Sequence, residues 1–512
     1  MNPNAILIQM VLISCLICLV QAFRLSRGWT MVCIFLLLIL GVTFLLVPDW
    51  AGWISASLWV FLFLLPLMGF ARVNRLMAQE RYGQARRLAA WLRWLHPADG
   101  MVEYPVLLRG LELGQQGRME DALHLFQQYQ TSTTRTGRTA IALLYRMDAR
   151  WDELLAWMQI NWSEAALLNE HTLNAYYLRS LGETGDLNGL VRGVASIERK
   201  LERTGDKTTL DLIRLFAFAF CGWSEPIERL FKGALSRYSP TMQQFWLATA
   251  ELASGNESLA QQHFLELRDR VDPVQQAAID WRLSQPRISA EQVLSAASQN
   301  ALSQIAIGLQ QEARYSNRAA FFNWNAHATH VLIGINGVIF GLEVLLGGSH
   351  NPDTMYHLGV MVPQLVFAGD WWRVLSANFL HIGILHLLVN MLGLLLLGSF
   401  VESLLGSRKM LISYFFSGIG SMLIVAIQAI STNAPVTFYA GASGAIMGLL
   451  GVMVAIFFKG WRREQARAAA RQLRFVLLIV GLQALSDLMT PQVSMVGHLA
   501  GAVLGFLAGM VL

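Results

Sequence analysis

The 512 residues are 54% hydrophobic and only 14% charged, against roughly 25% charged residues in soluble domains, and the mean hydropathy is +0.43. That composition excludes a soluble globular enzyme and points to an integral membrane protein. The net charge of +5 does not argue for nucleic acid as a partner, because the basic residues cluster beside apolar runs, where they orient membrane spans.

The first apolar runs lie near residues 5–23, 30–48 and 52–70, each close to the ~20 residues that a spanning helix needs. The first does not read as a secretory signal, since Met1-Asn2-Pro3-Asn4 carries no basic residue and two more runs follow. Cys15-x-x-Cys18 in that run has the spacing of a redox or metal pair. No histidine or acid stands nearby, so core packing is the better reading, and four cysteines are too few for a disulfide framework. From about 71 to 325 the chain turns polar and charged. Gly117, Ala122 and Phe126 have a G-x4-A-x3-F spacing that Gly255, Ala260 and Phe264 repeat, with Gly185, Leu190 and Val194 as a looser copy. The glycines are 68 (117 to 185) and 70 (185 to 255) residues apart, close to twice the 34-residue tetratricopeptide period. One period after the first copy, Trp151 replaces the glycine and Ala156 stands where Ala122 predicts. The segment resembles a degenerate tetratricopeptide array, an α-solenoid whose concave face binds protein segments. A nonrepetitive helical bundle is the alternative.

Six further runs follow near 329–347, 379–400, 410–430, 440–458, 473–488 and 494–512. The expected fold is an all-α membrane protein in three parts: three transmembrane helices (1–70), a cytoplasmic helical-repeat region (71–325) and six transmembrane helices (326–512). Arginine and lysine set the orientation. Arg24 and Arg27 follow the first run, Arg72 and Arg75 the third, and Arg314 and Arg318 precede the fourth. Arg408 and Lys409 follow the fifth, and Lys459, Arg462, Arg463, Arg467, Arg471 and Arg474 separate the seventh from the eighth. Loops such as Pro48-Asp49 and Ser431 to Pro435 carry none. All the basic segments share the cytoplasmic side if the N-terminus is outside and nine spans follow, with the C-terminus cytoplasmic.

This orientation puts Ser443, in Gly441-Ala442-Ser443-Gly444, near the external end of the seventh run and His498 near the external end of the ninth. Polar groups at membrane depth read by default as functional. His498-x-x-Gly501-x-x-x-Gly505-x-x-x-Gly509 places histidine and glycines on one helical face, and such glycines let another helix approach closely. Gly441, Gly444, Gly448 and Gly451 form a second small face. On an ideal helix Ser443 lies about 120° from the centre of that stripe. It reaches His498 only if the helix begins near Ser443 or the partner packs to one side. The fifth run holds His381, His386 and Asn390, with His386 and Asn390 four apart on one face and His381 about 140° away. Two N–H donors on one face could polarise a carbonyl oxygen. Each feature alone has a bland reading: glycine-rich spans pack, and a membrane serine bonds back to its own backbone. Order, spacing and common depth together favour chemistry.

Residues 324–512 resemble the rhomboid family of intramembrane serine proteases, which have a six-helix core. G-x-S-G matches Gly441 to Gly444, H-x-x-G-x-x-x-G matches His498, Gly501 and Gly505, and H-x-x-x-N matches His386 to Asn390. Trp372-Arg373 and Gly398-x-x-x-Glu402-x-x-x-Gly406 match further family motifs. The resemblance implies Ser443 as nucleophile, His498 as general base, and His386, Asn390 and the Ser443 amide as oxyanion donors. It implies transmembrane protein substrates within the lipid bilayer and no cofactor, metal or nucleic acid. The expected location is a bacterial inner (plasma) membrane, with the active site opening to the external side and a protein partner on the cytoplasmic repeats. Some members carry an aromatic residue four after the serine, stacked on the histidine; here that position is Met447. Asp487 invites a triad reading, but the family works with a Ser–His dyad, so a structural role is expected for it. The alternatives are a catalytically inactive relative that binds membrane helices, and a transporter using His386 and His498 as a proton relay.

Overall fold

The computed structural model describes residues 3–22, 27–96, 101–129, 134–170, 173–204, 206–285, 289–315, 321, 323–489 and 494–512. Arg24 and Arg318, used above for orientation, lie outside the described residues, as do Met1 and Asn2. Secondary structure among the described residues is helical apart from one antiparallel bridge between Met361 and Tyr439. The chain divides into two compact units, Asn2–Ala306 and Ile307–Leu512.

In the first unit three apolar helices, Pro3–Ala22, Arg27–Leu46 and Ala51–Ala78, pack around Val11, Cys15, Cys33, Leu36 and Phe63. The third runs past residue 70, where its apolar stretch was expected to end, and is widened by a π turn at Val60–Leu64. Pro66 explains the turn: its ring has no N–H and crowds the carbonyl four residues back, so the register loosens just upstream. Asn4 ties the bundle by donating to the Pro48 carbonyl and accepting from the Gly52 N–H, both at 2.7 Å.

The helices that follow form successive hairpins. Glu80, Gly117, Ala149, Gly185, Gly222 and Gly255 all have positive φ, and each sits in the turn between two helices. Their spacing runs from 32 residues (117 to 149) to 37 (80 to 117). Counting from each turn residue, positions five and nine onward are buried: Ala85 and Ala89, Ala122 and Phe126, Leu154 and Met158, Leu190 and Val194, Ile227 and Phe231, Ala260 and Phe264. The G-x4-A-x3-F spacing is therefore a turn followed by the inward face of the second helix. One expected register is corrected. Ala156 is exposed, and Leu154 and Met158 take the inward positions, because the turn falls at Ala149 and not at Trp151. Charge is also carried inside this unit, where Arg214 donates twice to Glu198 at 3.0 and 2.7 Å.

The second unit holds six apolar helices: His327–Leu345, Ile384–Leu405, Ser407–Ser431, Ser443–Arg463, Arg467–Met489 and Met495–Val511, here called the first to sixth core helices. Among the described residues, seven helices are long and apolar enough to cross a membrane, and the apolar segments Leu7–Leu19 and Met495–Val511 are shorter. The chain is an integral membrane protein. The fourth core helix is the hub: 72% of its apolar window is buried, against 17–50% in the other six candidate spans. Segment 346–383 joins the first and second core helices and folds into short helices at Pro352–His357, Pro363–Phe367 and Arg373–Ser376.

The second core helix starts at Ile384, not at 379, because Gly383 has φ +88 and breaks helical propagation. His381 is thus in the preceding loop, and its expected helical phase does not apply.

Candidate active site

The chain approaching Ser443 is held by backbone pairing. Met361 and Tyr439 exchange hydrogen bonds of 3.1 and 3.0 Å, and the Gly441 N–H donates to the Ala377 carbonyl at 2.9 Å. Gly441 has φ +125, a conformation L side chains rarely adopt. A Cβ there would lie 2.9 Å from both Cε1 and Nε2 of His386 and 3.8 Å from Ser443 Oγ. The missing side chain makes room for the His386 ring against Gly441, with the Ser443 hydroxyl on the same side at ordinary contact distance. Ser443 is the first residue of the fourth core helix. Its N–H therefore has no acceptor inside the helix, and the partial positive charge of the helix start favours negative charge nearby. The 120° offset read from the sequence assumed a helix already turning at Gly441, and the helix begins two residues later.

His386 is half-buried at the start of the second core helix, and Asn390 is buried one turn further on. Asn390 Nδ2 donates to the His386 carbonyl at 3.0 Å, and an amide keeps a second N–H beyond that bond. His381 is fully buried. Its N–H donates to Glu343 Oε1 at 2.9 Å, and its ring meets the His386 ring edge-on with centroids 5.2 Å apart. Glu343 escaped the sequence reading because a lone acid in an apolar run gives no periodic signal.

The fourth and sixth core helices meet backbone to backbone. A Cβ on Gly501 would stand 2.9 Å from the Gly444 carbonyl carbon, and one on Gly505 would stand 2.6 Å from the Gly448 Cα. This contact places the turn holding His498 beside the turn holding Ser443. The first turn of the sixth helix is capped by Ser494, whose hydroxyl accepts from the Gly497 N–H at 3.1 Å. His498 and Asp487 are both buried, and His498 Nδ1 lies 2.8 Å from Asp487 Oδ2. The other Asp487 oxygen accepts from Gln483 Nε2 at 2.8 Å. Asp487, for which a structural role is expected, is thus a direct hydrogen-bond partner of His498. Met447 is buried in the hydrophobic core of this unit. Ser443 Oγ has no hydrogen bond among the described residues, so serine and histidine are brought to one layer but are not bonded to each other.

Two further predicted residues shape the surroundings. Arg373 is buried in the 346–383 segment. It donates to the carbonyls of Tyr356 and Val360 at 2.9 and 3.2 Å and to Asp370 at 2.9 Å, with its guanidinium over the Tyr356 and Trp372 rings. Trp372 itself is exposed, and its ring packs at Gly359. Glu402 is buried near the end of the second core helix. It accepts from the N–H groups of Ala328 and Thr329 at 3.0 and 2.9 Å, and from the hydroxyls of Thr329 and Ser407, both at 2.7 Å. Three of those donors, two of them backbone N–H groups, belong to the start of the first core helix, whose early N–H groups have no intrahelical acceptor. Glu402→Ala should therefore lower stability by about 2–4 kcal/mol, since hydrogen bonds to a charged group are each worth about 1.5–3 kcal/mol. Thermal unfolding of the detergent-solubilised chain measures this, and Glu402→Gln, which keeps an acceptor, should lose less.

Together these elements define a polytopic helical membrane protein with a serine, a carboxylate-paired histidine and two more polar side chains gathered in its bundle. Residues 368–512 match the Rhomboid domain. The chain is 32% identical over 203 residues to "Rhomboid protease GluP" of Bacillus subtilis (strain 168), covering 40% of this chain and 38% of that protein. It is 33% identical over 170 residues to "RHOMBOID-like protein 5" of Arabidopsis thaliana, covering 33% and 52%. It is 32% identical over 154 residues to "Putative rhomboid protease YdcA" of Bacillus subtilis (strain 168), covering 30% and 70%. The chain belongs to the rhomboid family. It spans only 38% and 52% of the first two relatives. Because bacterial and plant proteins both match, the likeness does not carry the expected bacterial membrane.

Proposed function

We propose that the C-terminal unit is an intramembrane serine protease that hydrolyses peptide bonds in or beside transmembrane helices of membrane-protein substrates. The observation that carries this reading is the convergence of Ser443 Oγ and the His386 ring on Gly441, next to the helix turn that buries His498. His498 takes the proton of Ser443 as the hydroxyl attacks the scissile carbonyl, and returns it to the leaving amine. The resulting acyl-enzyme is hydrolysed by water, with His498 again the base. His386, the second N–H of Asn390 and the Ser443 amide stabilise the oxyanion. Serine and histidine close to hydrogen-bond distance when substrate enters, a tightening common at catalytic sites. A substrate helix hides its backbone bonds, so the cleaved segment must unwind locally, which small or helix-breaking residues favour.

The parts are read as three transmembrane helices (1–70), a tetratricopeptide-like α-solenoid (71–325) on the cytoplasmic side, and the rhomboid core (326–512). The solenoid recruits a cytoplasmic protein segment, and the site opens to the external side. Turns 32–37 residues apart, near the 34-residue period, support the solenoid reading.

The test is covalent labelling of the solubilised full chain by a mechanism-based serine inhibitor, with the modified peptide identified by mass spectrometry. Label on Ser443, absent from His498→Ala, is expected. No label on the folded chain would leave the catalytically inactive, helix-binding alternative.

A further inference from the structure

We propose that Asp487 is a positioning residue for the reaction assigned above: its carboxylate holds His498 with the proton on Nδ1 and leaves Nε2 to take the proton of Ser443. The inference rests on the proteolytic reading and goes beyond a two-residue serine–histidine arrangement.

A buried carboxylate is costly unless its oxygens are satisfied, and Asp487 is buried. Both oxygens of Asp487 have partners, Oδ1 from Gln483 Nε2 and Oδ2 at His498 Nδ1, each at 2.8 Å. Gln483 stands one turn before Asp487 on the same helix, so the carboxylate is clamped from its own helix and aimed at the sixth. An ionised carboxylate only accepts, so the hydrogen in the Asp487–His498 contact belongs to Nδ1. In a neutral imidazole the other nitrogen then carries the lone pair. When His498 takes the serine proton, the adjacent carboxylate, buried with it, offsets the imidazolium charge. Asp487 is also the sole acid in the chain after Glu464, so no neighbour in that stretch could substitute for it.

The test compares the purified full chain with Asp487→Asn on a single-span reporter, and reads the His498 tautomer by ¹⁵N NMR in the Ser443→Ala chain. Asp487→Asn keeps the shape of the side chain and removes its charge. The expected result is a kcat lower by about 10²–10⁴-fold, by analogy with the loss when a triad aspartate is amidated. KM should stay within about twofold and the melting temperature should not change. A packing role alone would move the melting temperature and spare the kcat of the folded fraction. The Ser443→Ala chain should show the Nδ1-protonated tautomer. A kcat within about twofold of the parent, or an Nε2-protonated tautomer, overturns the proposal. Should Asp487→Asn fail to fold, the tautomer measurement decides alone. A parent chain that cuts no reporter sinks the proteolytic reading itself, whereas an active parent with an insensitive Asp487→Asn sinks only the positioning role.

Discussion

Ser443→Ala should abolish cleavage of a co-expressed single-span reporter, lowering turnover by at least about 10⁴-fold, and His498→Ala should match it. Loss of a nucleophile or its base removes the covalent route altogether, and the two effects do not add because the residues act as one unit. The double variant should therefore be no slower than either single one. Stability should not change in Ser443→Ala. The hydroxyl is half-buried and has no hydrogen bond among the described residues, so its removal leaves no partner unsatisfied. A cut reporter in cells expressing Ser443→Ala, at protein levels equal to the parent, would remove Ser443 from the mechanism. The same experiment separates the transporter reading, which predicts transport that survives Ser443→Ala.

Much of this site was legible in the sequence because membrane helices punish polar side chains, so the few that occur stand out. Ser443, His386, Asn390 and His498 could all be found that way. The gaps have identifiable causes. His381 was placed on a helix because hydropathy sees an apolar run, whereas the helix start is set by backbone conformation at Gly383. Asp487 was set aside because the resembled family works with a Ser–His dyad, and spacing along one chain cannot show which side chains face each other across two helices. Its contact with His498 depends on the relative rotation of the last two core helices, which the sequence does not display. In the middle region, glycine periodicity exposed the turns at 117, 185 and 255. Those at Glu80 and Ala149 were hidden, since a residue other than glycine takes the positive φ there. Once the turn position is known, the buried fifth and ninth positions follow after each of the six turns. That recurrence lies in backbone geometry more than in residue type.

The seam between the fourth and sixth core helices makes the second large prediction. Gly505→Val should destabilise the second unit by about 3 kcal/mol, the upper part of the usual range for overpacking a tight core, and should remove activity with it. A Cβ on Gly505 would lie 2.5 Å from the Gly448 carbonyl carbon and 2.6 Å from its Cα. These are backbone atoms of the most buried candidate span, and no rotamer change can move them aside. Relief in one direction is closed as well. A Cβ on Gly451 would meet Phe506 N at 2.7 Å, and one on Gly509 would meet Ala455 Cβ at 2.8 Å, so the contact is tight at several successive levels. Separating the helices enough for valine would therefore draw His498 away from Ser443, since both ride on the first turns of these two helices. Gly481→Ala is the control. It lies on the fifth core helix with nothing within 4 Å of its added Cβ, and it should leave both melting temperature and turnover unchanged or slightly raise the former. If Gly505→Val melted with the parent and cut the reporter at the parental rate, close backbone approach could not be what holds the serine and histidine in register.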